Sequence, residues 1–261
     1  MGIKFGPAGI GPVKSAIKVL EQYHKLGLRA CEIAFTYQIY IKPNEAEVIG
    51  KKAKELGIQL SVHAPYYVNL NSKEKAKREA TKKRIIDCCR IGEIAGANVV
   101  VFHPGYYMKK GIDEKDKEET FKTIKEGIIE IKKEIKKHNW KINIAPETMG
   151  KMNVFGSIEE ISKLVKETGC SFCLDFAHIL AREKRVDYEK IKSLFPEKEW
   201  HVHFSGIIYG DKGEISHRKT RRNEWVELLK NLPKIKDIVI INESPDMIND
   251  SVEGLEIYKA L

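Results

Sequence analysis

The chain has 261 residues, 42% of them hydrophobic and 32% charged, enough for one large soluble domain with a substantial core. No apolar run approaches the ~20 residues of a membrane span. MGIKFGPAGIGPVK lacks the apolar stretch of a secretory signal and misses the myristoylation pattern at Gly6, so a cytoplasmic protein without a membrane partner is expected.

The formal charge of +9 fits two readings: a polyanionic partner such as nucleic acid, or the Lys/Glu/Ile-rich texture of heat-adapted proteins seen in EIKKEIKK over Glu130–Lys137. Charge alone does not separate them. The cysteines, Cys31, Cys88, Cys89, Cys170 and Cys173, are odd in number and follow no disulfide framework. Cys170 and Cys173 form a single CxxC with no second pair, which reads as buried thiols rather than a zinc knuckle.

Taken in order, β-type runs occur at Ile3–Phe5, Ala30–Phe35, Gln59–His63, Asn98–His103, Lys141–Glu147, Ser171–Asp175, Trp200–Phe204 and Ile238–Glu243. Helical patterns follow at Gly11–Lys25, Asn44–Leu56, Ser72–Ala95, Glu114–His138, Ser157–Glu167, Phe176–Leu194, Thr220–Leu229 and Asp250–Ala260. Ile124, Ile128, Ile131 and Ile135 recur at the spacing of one helix face. Gly27, Gly57, Gly96 and Gly169 sit where left-handed caps are needed. Ser157 and Glu160 read as a capping box. Strictly alternating strand–helix units of about 30 residues imply a parallel sheet covered by helices. Eight of them predict a single-domain α/β fold, a (β/α)8 TIM barrel over residues 1–261. The alternative is a doubly wound open sheet, but no GxGxxG follows the first strand.

In such a barrel the chemistry lies at the C-terminal strand ends. The third strand ends in His63, the fourth in His103, the fifth in Glu147 and the sixth in Asp175 with His178 just beyond. The seventh ends in His203 and the eighth in Glu243. A single histidine at a strand end is more often a packed structural residue than a ligand. Six consecutive strands ending in ionisable groups would be costly at one rim unless cations compensate. Imidazole suits zinc, and carboxylates can bridge two ions. His217 lies in the long loop after the seventh strand and is a further candidate ligand. His201 shares parity with His203 and is expected one layer deeper. His24 and His138 read as structural.

With these residues in view, the chain resembles the endonuclease IV family of apurinic/apyrimidinic endonucleases. SVHAPYYVNL, VVFHPG, APET, CLDFAH, HVHFSG and INESPD carry the resemblance, in family order and over nearly the whole length. It implies a (β/α)8 barrel with two or three metal ions, usually zinc, with manganese sharing the same ligands. The implied partner is double-stranded DNA with an abasic site, cut on the 5′ side of the lesion. The resemblance implies one metal on His63, His103 and Glu147, a second on Glu147, Asp175, His203 and Glu243, and a third on His178 and His217. At the third site the family has an aspartate two residues before the last histidine, and this chain has Ile215. Glu214 or Asp211 would have to substitute, or the site is weak or empty.

Glu147 as the bridge and Glu243 as the group that orients a nucleophilic water are the implied catalytic residues. Tyr66 matches a tyrosine beside the abasic gap, and Tyr67 stands where the family wedges a leucine into the base stack. Tyr40, in FTYQIYIK, replaces an arginine of another stack-penetrating loop. Ordinary loop packing is the plain alternative for these tyrosines. Independently of the family, Arg218, Lys219, Arg221 and Arg222 follow His217 and would suit backbone phosphates. A monomer is expected. The rival readings are a sugar isomerase or epimerase with one or two metals on the same barrel, a UV-damage endonuclease, and a non-catalytic DNA or metal binder.

Overall fold

The computed structural model describes residues 2–107 and 112–261. Its strands are β1 (Ile3–Pro7), β2 (Ala30–Ala34), β3 (Gln59–His63), β4 (Val99–Phe102), β5 (Gly105–Tyr106), β6 (Asn143–Pro146), β7 (Val154–Phe155), β8 (Cys173–Asp175), β9 (Glu199–Phe204), β10 (Gly206–Gly210), β11 (Gly213–Arg218) and β12 (Asp237–Asn242). The helices are α1 (Ala16–Lys25), α2 (Pro43–Glu55), α3 (Lys75–Ala95), α4 (Glu114–Lys137), α5 (Ile158–Thr168), α6 (Phe176–Glu183), α7 (Tyr188–Leu194), α8 (Arg222–Asn231) and α9 (Met247–Ala260).

Parallel pairing runs β2–β3–β4–β6 on one side and β8–β9–β12–β1 on the other. A parallel bridge from Glu147 to Cys173 joins β6 to β8. The Arg29 N–H donates to the Phe5 carbonyl at 3.0 Å and joins β1 to β2. The sheet therefore closes on itself as the expected (β/α)8 barrel, and an open doubly wound sheet is excluded because no barrel strand is left as an edge.

Alternation along the strands sorts the residues into two cores. Val100, Phe102, Leu60, Val62, Cys31 and Ile33 face outward against the helices. Val99, Val101, Ala145 and Cys173 form one apolar patch inside the barrel, and Ala30, Val239 and Ile241 form another. On α4 the expected stripe of Ile124, Ile128, Ile131 and Ile135 is buried against the sheet. Each such side chain contributes about 1.5–3 kcal/mol. Ser157 Oγ accepts from the Glu160 N–H at 3.2 Å, and the Glu160 carboxylate accepts from the Ser157 N–H at 2.8 Å, so the capping box forms. All five cysteines are buried and unbridged. No described helix is long and apolar enough to cross a membrane.

Two sequence expectations are corrected. Residues 176–194 are not one helix: Lys184 takes a left-handed conformation (φ 64°) that ends α6, and Asp187 then caps α7. The long loop expected after the seventh strand is instead a hairpin, with β10 antiparallel to β11. A second antiparallel pair, β5 with β7, also lies beyond the C-terminal ends of the barrel strands.

Candidate metal centre

The strand parity that buries Val99 and Val101 carries His103, two residues on, to the same inward side. The same rule applies on other strands. Ser61 leads to His63, Ala145 to Glu147, Cys173 to Asp175, His201 to His203 and Ile241 to Glu243. Barrel closure brings these strand ends together at one mouth.

Glu147 stands at the centre and is only 1% exposed. Its Oε2 lies 3.2 Å from His63 Nε2 and 3.2 Å from His103 Nε2. Its Oε1 lies 3.3 Å from His178 Nδ1 and 3.4 Å from His203 Nδ1. Glu243 Oε1 is 3.4 Å from His203 Nδ1, and Asp175 Oδ2 is 3.4 Å from His178 Nδ1. Asp175 has two tasks. Its Oδ1 caps α6 by accepting from the His178 N–H at 2.7 Å, and its Oδ2 faces the centre.

Several imidazoles are oriented by backbone carbonyls. His63 Nδ1 lies 2.7 Å from Ala64 O, and His103 Nδ1 lies 3.2 Å from Tyr66 O. His178 Nδ1 lies 3.0 Å from Thr148 O. A carbonyl can only accept, so in the neutral ring the proton sits on Nδ1 and the Nε2 lone pair is left to ligate. For His217 the Nδ1 contact is the Ser205 hydroxyl at 2.7 Å.

The third group depends on a β-bulge. Along the β10–β11 hairpin Ile208 pairs with Ser216, but the next residue, Tyr209, pairs with Glu214. Ile215 is therefore the extra residue and is 64% exposed. In a regular strand, side chains three apart point to opposite faces, and one inserted residue restores them to the same face. Glu214 Oε2 thus lies 3.5 Å from His178 Nε2, and Oε1 lies 3.9 Å from His217 Nε2. Asp211, at the exposed tip of the hairpin, takes no part. Gly150 permits the approach, because a Cβ there would sit 2.8 Å from Glu214 Cβ.

The side chains therefore gather into His63–His103–Glu147, Glu147–Asp175–His203–Glu243 and His178–Glu214–His217, each with its donor atoms within 4.8 Å of one another. Among the described residues, Glu147 Oε1, Asp175 Oδ2 and His203 Nδ1 are buried without a hydrogen-bond partner. Unpaired buried polar atoms are costly. Here they point at one another with nitrogen and oxygen donors that suit divalent ions, so the residues fit metals.

The electrostatics agree. Burial disfavours the charged forms, but Glu147 outweighs it for His63 and pushes that imidazole up to about 9. For His178 burial is outweighed by Asp175, Glu147 and Glu214, and its pKa is raised. Glu147 is held well below the usual carboxylate range because four histidines overcome its burial. Glu243 moves the other way: burial, with Glu147 and Asp175 nearby, raises it against the pull of His203.

Around the mouth is a cavity of about 370 Å³ whose walls include His63, His103, His217, Glu243, Tyr66 and Tyr106. Tyr66 meets Tyr37 edge-on at 5.5 Å and Tyr67 at 6.0 Å. Tyr67 donates its hydroxyl to Tyr37 O at 2.9 Å and lies under the Arg84 guanidinium. Tyr40 packs edge-on against Phe35, apart from that cluster. Of the four cations after His217, Arg218 is paired with Glu224 and Lys219 with Asp246. Arg221 and Arg222 are exposed at the start of α8.

Glu32, which is not among the residues expected from the strand ends, is fully buried inside the barrel. The signal was present, since ACEIA puts a charged residue at the inward parity between Ala30 and Ala34.

An uncharacterized protein of Methanocaldococcus jannaschii, MJ0133, is 36% identical, over 98% of this chain and 97% of its own length. A protein of Acholeplasma laidlawii named probable endonuclease 4 is 30% identical, over 80% of each chain. Among solved structures, D-psicose 3-epimerase from Clostridium cellulolyticum superposes with a TM-score of 0.74 at 16% identity, covering 100% of this chain and 99% of that one, a likeness of fold alone. The xylose isomerase-like TIM barrel description matches residues 20–261, and the chain belongs to that family.

Proposed function

We propose that this protein is a metal-dependent phosphodiester hydrolase that incises DNA 5′ to abasic sites. The observation that carries the reading is the set of three adjoining donor groups, with Glu147 shared between two of them and His178–Glu214–His217 completing the third. Zinc suits this histidine-rich set, and manganese shares its ligands. Divalent ions bound by these residues would supply Lewis acidity toward phosphoryl oxygens and an activated water at neutral pH.

The chain's own residues supply the rest. Glu147, kept ionised with both oxygens directed at histidines, belongs to two of the donor groups and would help to hold an ion in each. Glu243, its basicity raised by burial and its carboxylate at the cavity wall, orients the attacking water and takes its proton. Two carboxylates driven in opposite directions is the arrangement expected when one must stay charged and the other must exchange a proton. Tyr66 and Tyr67, half-exposed at the rim, offer stacking faces where a missing base leaves a gap. Arg221 and Arg222 offer phosphate contacts on the same face.

A second reading, a sugar epimerase, needs only the Glu147–Asp175–His203–Glu243 group. It leaves the two flanking histidine groups without a task. The discriminating experiment gives the metal-loaded protein an abasic-site duplex and, separately, a ketohexose mixture. Incision without sugar turnover supports the hydrolase, and the reverse result overturns it.

A further inference from the structure

Directly beneath the metal centre the barrel interior is not apolar. Glu32 sits on β2 with 0% exposure, beside Ser61 on β3 and facing His201 and His203 on β9. Its Oε2 accepts from the Ser61 hydroxyl at 2.8 Å and meets His201 Nε2 at 3.1 Å. Its Oε1 lies 3.1 Å from His203 Nε2. A fully buried carboxylate at the barrel axis is expensive. Stability alone would favour an apolar side chain there, like Val101 on β4 or Ile241 on β12.

We infer that Glu32 is a positioning residue for the metal centre, acting through His203. The ring of His203 is contacted on both edges: Nδ1 faces Glu147 and Glu243 at 3.4 Å, and Nε2 faces Glu32. The Glu32 carboxylate, 3.1 Å from Nε2 though not in hydrogen-bond geometry with it, favours the ring form with its proton on Nε2 and leaves the Nδ1 lone pair for an ion. It also increases the basicity of the ligating nitrogen. His63, His103 and His217 present their far nitrogen to a carbonyl or a hydroxyl, whereas Nε2 of His203 faces the Glu32 carboxylate. Ser61 and His201 fill the remaining valences of Glu32 and fix its plane. The inference rests on the metal-centre reading above.

The test uses Glu32→Gln, which keeps the shape and removes the charge, on the full chain loaded with Co²⁺. Co²⁺ affinity is measured by titration, and the ligand field of the bound ions by visible absorption. Expected are a loss of about 10–100-fold in affinity at one site, a displaced absorption band, and partial recovery of both in Glu32→Asp. A melting temperature of the metal-free variant close to the parent's would separate this from a merely structural role. If Glu32→Gln binds Co²⁺ with the parent's affinity and spectrum, the inference is overturned while the metal reading stands. If the parent itself takes up no Co²⁺, both fail. Should Glu32→Gln not fold, Ser61→Ala removes only the hydroxyl that steadies Glu32. A weaker site with a displaced band then supports the inference, and unchanged binding overturns it.

Discussion

Glu214 and His217 share one face of the β10–β11 hairpin only because Ile215 between them is a bulge. Two residues that normal pleating would turn apart therefore converge on His178. Glu214→Gln should lower the bound metal by one ion and cut turnover on the order of 10²-fold, the scale for losing one group that stabilises developing charge. Restoring an acid at the exposed position, Ile215→Asp, should not rescue it. Metal counting on the two variants decides; rescue by Ile215→Asp would show that the bulge is not what places the carboxylate.

Gly150→Ala tests the same arrangement from the opposite side. The new Cβ would stand 2.8 Å from Glu214 Cβ and 3.1 Å from His178 Cδ2. Overpacking of this kind costs about 1–3 kcal/mol. The expected result is a lower melting temperature together with selective weakening of the third ion. Equal weakening of all ions would contradict the local reading.

Metal loading should depend on pH with a definite sign. His63 is raised from its ordinary 6.5 to about 9 by its pairing with Glu147. In the metal-free protein that pairing stabilises the fold fully below pH 6.5 and is lost as pH rises through about 9. A metal must displace the proton. The rise in melting temperature on adding zinc should therefore be smallest at pH 6 and grow toward pH 8.5, with proton release on binding. A thermal shift that shrinks over that range would contradict it.

The cations after His217 should separate into two pairs. Arg221→Ala with Arg222→Ala should weaken DNA binding for all sequences and reduce the salt slope by roughly 2. Arg218→Ala should chiefly lower stability, because Arg218 is tied to Glu224 at the start of α8. Salt titrations of both variants separate the cases, and equal slopes for parent and double variant would remove the phosphate role.

Much of this centre was legible in the sequence, for a simple reason. Parallel strands of a closed barrel have fixed parity, so the last inward residue of each is forced to the mouth. His63, His103, Glu147, Asp175, His203 and Glu243 follow from the strand ends alone. Glu214 could not be chosen over Asp211, because a bulge changes parity locally and leaves no plain mark in GEISHRKT. Glu32 does not follow from the strand ends because it lies in the layer below them. The break at Lys184 was hidden because AREKR continues a helical pattern up to a residue that adopts a left-handed turn.

The central claim is incision at abasic sites, and one measurement addresses it most directly. A duplex carrying a single abasic-site analogue and a 5′ label is incubated with metal-loaded protein, with and without chelator. The account predicts a labelled fragment ending in a 3′-hydroxyl immediately 5′ of the lesion, abolished by chelator and by Glu147→Gln. An intact duplex after exposure to fully metal-loaded protein would contradict it.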